Sequence, residues 1–474
     1  MPDPDPLLRF RPEFPILEKS TNLLACRQSI MFEQVGLTET VDRPMSRPLT
    51  GRLDFFIPAA LAAHLIVVLA GRTVAWPEVT TPAYLASRGM LLYRDIKVVH
   101  TPGLLALLAF CFRVFGVSAG VVRGVAVLGP LVAHALVLRE TRPFTIPVRV
   151  LTSAFFLVLL LDWNGNAIWP TVLMSALALP IASALSRGRF AAAGRAIGAA
   201  ILIKQTAAYV LLACVGRLLM KRSFREIPPL VLWASLPYAA TACLFVLLGA
   251  GWSFLKWTLY VPFVMKGNID LQPVPAFLLL LFVAALPLLI EAWLEKTGEY
   301  VTRASWLLVV ALGFVLMSYP RYGLMQTIAC IPCLAVGAAR LMSRAGGWLK
   351  LLPYALVASV TLTRGATLLA GENWDSKVVF WNDEAAFNRL VDRLKAFPPQ
   401  APLSTLVWPN LLPRTGRLPP GQIYYHSMAM LPDAVDSIGE RTTRLSSRPG
   451  TILVRYRSFD DHAETVGPFA IERR

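Results

Sequence analysis

Long apolar runs separated by short polar turns dominate this chain of 474 residues. Residues 1–50 are polar, Pro-rich and without period, so they read as a disordered tail. They lack the basic start and short apolar core of a signal peptide, and Met45, just before the first apolar run, is a candidate start. Runs of membrane-span character then fall at about 55–71, 121–138, 147–161, 167–185, 191–203, 206–220, 229–249, 275–292, 304–318, 324–341 and 351–370. The pattern predicts an all-α polytopic membrane protein of about 11 transmembrane helices. Composition agrees, since 55% of the residues are hydrophobic and only 16% charged, too little charge for a soluble chain of this size.

The apolar run 102–116 decides the topology. As a helix it rises only about 22 Å, short of the roughly 30 Å hydrocarbon core, and Arg113 interrupts it. It reads as a helix lying at the interface, which keeps 76–123 on one side. If it spanned, Arg139, Arg142 and Arg149 would face outward, against the positive-inside rule. The same rule decides the pieces flanking Lys204. A shallow hairpin with its tip outward at Lys204 keeps Lys221, Arg222 and Arg225 inside, whereas one long helix would put them outside. The net charge of +17 then sits mostly in inner loops, and its scatter between apolar runs argues against nucleic acid as a partner. The loop from Glu291 to Arg303, net acidic, runs slightly against this. The amino terminus falls inside and the carboxyl terminus outside.

Residues 371–474 have ordinary soluble composition. Phe387, Leu390, Val391 and Leu394 repeat at helical spacing, so 383–397 reads as an amphipathic helix, while 403–408 and 451–456 read as strands. A small α/β extracytoplasmic domain follows, which either caps the membrane part or binds an acceptor. Five of the six cysteines lie in apolar segments and none after residue 370, so this domain has no disulfide framework. Cys330 and Cys333 have redox-motif spacing, but inside an apolar run they read as helix packing. His64 and His134 read as residues packed or hydrogen-bonded within the spans, and Arg113 as an interfacial snorkel.

Candidate chemistry concentrates in 76–123, WPEVTTPAYLASRGMLLYRDIKVVHTPGLLALLAFCFRVFGVSAGVVR, which holds Glu78, Arg88, Arg94, Asp95, Lys97, His100, Arg113 and Arg123. Glu78 and Asp95, with Asp162 on the next outer loop, are candidate general bases, able to take a proton from an acceptor hydroxyl within hydrogen-bond reach. Each also has a plainer reading as a solvated loop acid or a partner for Arg94. Arg94, Lys97, His100, Arg123, Lys204 and Arg321 make an outward-facing cationic group, and charge at membrane depth is costly. An anionic lipid headgroup offsets that cost, since Arg grips a phosphate bidentately and Lys acts as a point charge. Lys204 is the sharpest case, flanked by AAILI and TAAYVLL. There is no Walker A loop, no Rossmann glycine pattern after a strand and no cluster with metal-ligand spacing. No cofactor or metal is therefore expected, and an outward site would receive its donor on a lipid.

At these residues the chain resembles the GT-C superfamily of polytopic glycosyltransferases, near the protein mannosyltransferases and the lipid A aminoarabinose transferases. The resemblance rests on order along residues 54–341. An acid follows the first span, then come a Tyr-containing helix, LLYRDI (91–96), VVHTPG (98–103) and Arg123 at the second span. GAAILIKQTA (198–207) and SYPRYGLMQTIACIP (318–332) complete it. The departures are Glu78 in Trp-Pro-Glu-Val where the family usually has Asp, and Asn166 near the place of a second family acid, with Asp162 earlier. The resemblance implies sugar transfer from a polyprenyl-phosphate donor to a lipid, glycan or protein acceptor, at the periplasmic face of the bacterial inner membrane. It implies Glu78, Asp95 or Asp162 as base and the six cations as holders of the donor phosphate. Two other classes stay open: a charged-lipid transporter or flippase, against which stand the lack of an internal repeat and the placing of nearly all charges at span ends, and a non-catalytic assembly subunit of the same fold.

Overall fold

The structure is a computed structural model that describes residues 54–70, 73–264, 274–296, 303–319, 323–344, 351, 353, 355, 359, 385–405, 411–419, 423–424, 450–456, 464–466 and 469–473. Arg321, the tail 1–50, Met45 and most of the run 351–370 lie outside these residues. The helices are α1 (Phe56–Ala70), α2 (Pro77–Ser87), α3 (Pro102–Phe115), α4 (Ala119–Glu140), α5 (Ile146–Asp162), α6 (Pro170–Ser186), α7 (Phe190–Ile203), α8 (Ala208–Met220), α9 (Ile227–Leu247), α10 (Gly251–Leu255), α11 (Val261–Val264), α12 (Val274–Lys296), α13 (Arg303–Leu316), α14 (Leu324–Thr327), α15 (Ile331–Arg344), α16 (Ala385–Lys395) and α17 (Leu411–Thr415).

Proline sets many of the starts. Pro77, Pro102 and Pro170 each follow an extended residue and open a helix, where the missing N–H costs nothing. By length and composition, Ala119–Glu140, Phe224–Leu247 and Leu324–Arg344 can each cross a bilayer, and seven further apolar helices among the described residues are shorter. Helix α15 is buried along nearly its whole length, with α4, α5, α6, α12 and α13 packed against it. Glycine allows the closest approaches: Gly194 and Gly198 of α7 lie against Leu230 and Ala234 backbone of α9, as small residues do between membrane helices. The outer helices expose apolar faces, Leu232, Leu236 and Leu244 on α9 and Leu278, Leu279 and Phe282 on α12, which suits lipid rather than water.

The connections gather at two ends. At one, Asp54 pairs with Arg142 and with buried Arg149 at 3.4 and 2.7 Å, and Glu291 pairs with Arg344 at 3.0 Å. The Arg142 and Arg149 guanidiniums hold the Asp54 carboxyl below the usual carboxylate range, chiefly through the Arg149 hydrogen bond. Arg217, late in α8, donates to Ser305 at the start of α13 (2.6 Å). At the opposite end lie the loops 73–101, 162–169 and 204–207 and the residues 317–319 and 323–327, joined by the contacts described below.

Helix α3 is 14 residues long, with Leu104, Leu105, Leu108 and Phe112 buried and Phe110, Val114 and Phe115 exposed. It ends at Gly116, whose φ of 80° suits glycine. In the carboxyl-terminal region, strands β2 (Leu403–Thr405), β4 (Ile452–Tyr456), β5 (Glu464–Val466) and β6 (Phe469–Arg473) form a sheet of order β2-β4-β6-β5. β2 runs parallel to β4, with Leu403 opposite Ile452, and the other two pairs are antiparallel. Helix α16 buries Leu390, Val391 and Leu394, three of the residues with the expected helical spacing. A second parallel pair joins β1 (Ile96–Lys97) to β3 (Ile423–Tyr424).

Candidate functional site

Backbone first brings the four loops together. After α1 the chain runs extended, and Val74 bridges Ala167, accepting from Ile168 N–H at 2.9 Å and donating to Asn166 carbonyl at 3.3 Å. The segment before α3 is stitched to the break between α7 and α8. Gln205 Nε2 donates to Val99 carbonyl (2.6 Å) and Thr101 Oγ1 to Ile201 carbonyl (2.8 Å). Gly103 lies so close to Leu202 that an added Cβ would sit 2.5 Å from its carbonyl oxygen. Thr171 Oγ1, in the first turn of α6, donates to Met325 carbonyl at 2.7 Å.

The break itself is Lys204. Its backbone is extended (φ −153°, ψ 122°), which ends α7, and a 3₁₀ turn over Gln205–Ala207 leads into α8. Gly194, early in α7, faces Leu230, while Arg217, late in α8, faces Ser305, so the two helices run away from Lys204 toward the far end. The chain therefore reverses there. Lys204 is only 8% exposed. Its Nζ donates to Gln326 Oε1 and lies 5.9 Å from the centre of the Trp169 ring.

Trp169 is the hub of the cluster. Trp76 packs against it at 5.6 Å between ring centres, His100 meets it edge to face at 5.5 Å, and its Nε1 reaches Gln326 Oε1 at 3.5 Å. So one buried indole touches a residue from each of the opening loop, the Lys204 break and the α14 turn. An ammonium at this depth, against an indole face, is held where an approaching anion feels little water screening.

The turn 91–97 is fastened separately. Tyr93 has φ +67°, an uncommon value for a bulky residue. Its fully buried ring stands edge-on to Phe245 and Phe254 at 4.8 and 5.1 Å, and its hydroxyl donates to His100 carbonyl (2.8 Å). Its carbonyl accepts from Lys97 Nζ at 2.6 Å and from Ser253 Oγ. Asp95 closes the turn by accepting from Leu91 N–H (2.8 Å) and pairs with Arg94 at 3.1 Å. The Arg94 hydrogen bond holds the Asp95 carboxyl below the usual range, burial opposing it, and Asp95 in turn raises Arg94.

The residues singled out from the sequence thus fall into groups. Lys204 and His100 share the Trp169 indole. Lys97 is tied to Tyr93 and Ser253, and Arg94 to Asp95. Glu78 is half-buried in the first turn of α2, two residues after Trp76, where a carboxylate suits the helix dipole. Asp162 ends α5, and its loop enters the cluster through Asn166–Trp169 rather than through the acid. Arg123, half-buried, stands in the first turns of α4. Trp76, Trp169, Gln326, Tyr93 and Ser253 were not singled out. A tryptophan directly before the Pro170 helix start and the glutamine within SYPRYGLMQT were the available signals.

A helical bundle whose loops converge at one end on a buried, aromatic-lined lysine defines a polytopic membrane protein with a site at its rim. A crystal structure of ArnT from Cupriavidus metallidurans bound to undecaprenyl phosphate matches it with a TM-score of 0.61 and 12% identity, covering 88% of this chain and 97% of that one. The apo state of the same ArnT matches with a TM-score of 0.56 and 13% identity, over 84% and 92%. The chain has the polytopic helical fold of ArnT. No protein-family model and no curated protein matches the sequence.

Proposed function

We propose that the chain is a membrane glycosyltransferase that moves a sugar from a polyprenyl-phosphate donor to a lipid, glycan or protein hydroxyl at the periplasmic face. Residues 1–50 would be a cytoplasmic tail, 51–370 the catalytic domain of about eleven spans in the inner membrane, and 371–474 a periplasmic α/β domain. The observation that carries this reading is Lys204, buried against the Trp169 indole that His100 also meets, at the loop end of the bundle. The fold likeness to a protein crystallised with undecaprenyl phosphate adds to it.

The reaction is a single displacement with inversion. The acceptor hydroxyl loses its proton to a carboxylate while its oxygen attacks the sugar's anomeric carbon, and the bond to the lipid phosphate breaks. Glu78 is the first choice of base. Asp95 is the weaker choice, because its Arg94 partner stabilises the charged form, and Asp162 assists. Lys204 and His100 offset the charge that develops on the leaving phosphate, with Lys97, Arg94, Arg123 and Arg321 as outer cations of the same face. The test is transfer from a radiolabelled polyprenyl-phosphate sugar to membrane extract by the purified chain. Labelled product that disappears in Glu78→Gln supports the reading; a wild-type chain that leaves the label on the donor lipid overturns it.

A further inference from the structure

The carboxyl-terminal region is fastened to the opening loop by bonds rather than resting on it. Strand β3 pairs with β1, placing Ile423 opposite Ile96 and Tyr424 opposite Lys97, inside the segment between Tyr93 and His100. Tyr84, on the helix that carries Glu78, is fully buried, and its hydroxyl donates to the carbonyl of Arg417 at 3.2 Å. Arg417 is itself a knot. Its guanidinium donates to four main-chain carbonyls, Leu394 and Phe397 at the end of α16 and Pro398 and Ala401 on the way to β2, at 2.6–2.9 Å. Of these, the Leu394 carbonyl lies in the last turn of α16 and carries the negative end of its dipole, which suits a cation. One residue thus ends α16, leads the chain into the sheet and receives the hydroxyl of α2.

We infer that the carboxyl-terminal region is a positioning element for the donor side of the site, with Tyr84 and Arg417 as its joint. This rests on the proposed donor. Both attachments grip the opening loop, one on each side of the strained Tyr93 turn, and neither involves the α14 turn or the α4 start. Tyr93 keeps its φ of +67° only while its surroundings over-determine it. The β1–β3 pair supplies part of that constraint from outside the membrane helices. Releasing the joint frees Lys97 and His100 to move from Ser253 and Trp169, so the lipid phosphate meets misplaced cations. Tyr84 and Arg417 act through the loop and need not touch substrate.

The test uses the full chain in phosphatidylethanolamine–phosphatidylglycerol nanodiscs, with undecaprenyl phosphate as the titrated probe. Amide exchange over residues 91–98 and the thermal midpoint are read on the same samples. Tyr84→Phe removes one hydroxyl and keeps the ring, and the expected result is about five-fold weaker binding, faster exchange over 91–98 and an unchanged midpoint. Arg417→Lys, which cannot span four carbonyls, should weaken binding further; if it does not fold, Tyr84→Phe decides alone. Wild-type binding and wild-type exchange in Tyr84→Phe overturn the inference. If the wild type does not bind the probe, yet Tyr84→Phe still loosens 91–98, the joint stands and the donor reading falls.

Discussion

Replacing Lys204 with methionine removes the charge while keeping most of the side chain's length and apolar stem. Lys204 is 8% exposed, so bulk water screens its ammonium weakly. For a phosphate oxygen about 4 Å away at the effective dielectric of a protein site, the attraction is about 4 kcal/mol. Losing it should slow transfer by about a thousand-fold, within the range seen when one charge-stabilising group is deleted. Folding should suffer less. Gln326 loses a charged donor, a cost of about 1.5–3 kcal/mol, but the variant no longer buries an ammonium, and the two effects oppose each other. Lys204→Arg keeps the charge but puts a longer, planar group in the ammonium-sized place at Gln326 and Trp169, so part of the activity should remain. The assay is single-turnover transfer from a labelled polyprenyl-phosphate sugar, with the thermal midpoint measured alongside. A methionine variant that transfers at the wild-type rate, with the fold intact, would refute the role given to the buried ammonium.

Glu78→Gln should cut transfer by about 10²–10⁴-fold with little change in donor binding, whereas Asp95→Asn should mainly loosen the 91–97 turn, a difference that steady-state kinetics and amide exchange separate. Asp95 has its folded-state pKa lowered by Arg94. Its contribution is therefore fully present above the unfolded value of about 4 and is lost as pH falls through the folded value. Exchange protection of the turn should stay flat between about pH 5 and 8 and decline only below about 4. Gly103→Ala should drive the starts of α3 and the Lys204 break apart, since its Cβ would lie 2.5 Å from Leu202 carbonyl oxygen; a lower thermal midpoint together with weaker undecaprenyl-phosphate binding is expected.

The architecture was legible because lipid imposes strong rules. Apolar runs, a helix too short to span and the bias of Arg and Lys led to the hairpin at Lys204, and the residues on either side of it do run to one end. The grouping of the cations was less legible. Arg94 and Asp95 are neighbours in sequence, and their pairing was one of three readings the residues allowed. That Lys97 would spend its donors on Tyr93 carbonyl and Ser253, 156 residues away, depends on tertiary geometry. Trp169 and Gln326 escaped notice for the same reason. They are 157 residues apart, neither lies on a periodic stripe, and an aromatic hub has no local signature. The carboxyl-terminal joint was hidden likewise, because Arg417 acts through main-chain carbonyls that no side-chain pattern reveals.

The central claim is that the opening loop, the Lys204 break and the α14 turn share one face of the bilayer, opposite the inner arginines. Single cysteines at Arg94 and Tyr319, both exposed, and at Arg187 can be treated with a membrane-impermeant maleimide in intact cells and then in inverted vesicles. The account predicts labelling of Arg94→Cys and Tyr319→Cys from the periplasm only, and of Arg187→Cys from the cytoplasm only. Labelling of positions 94 and 319 from opposite sides would contradict it.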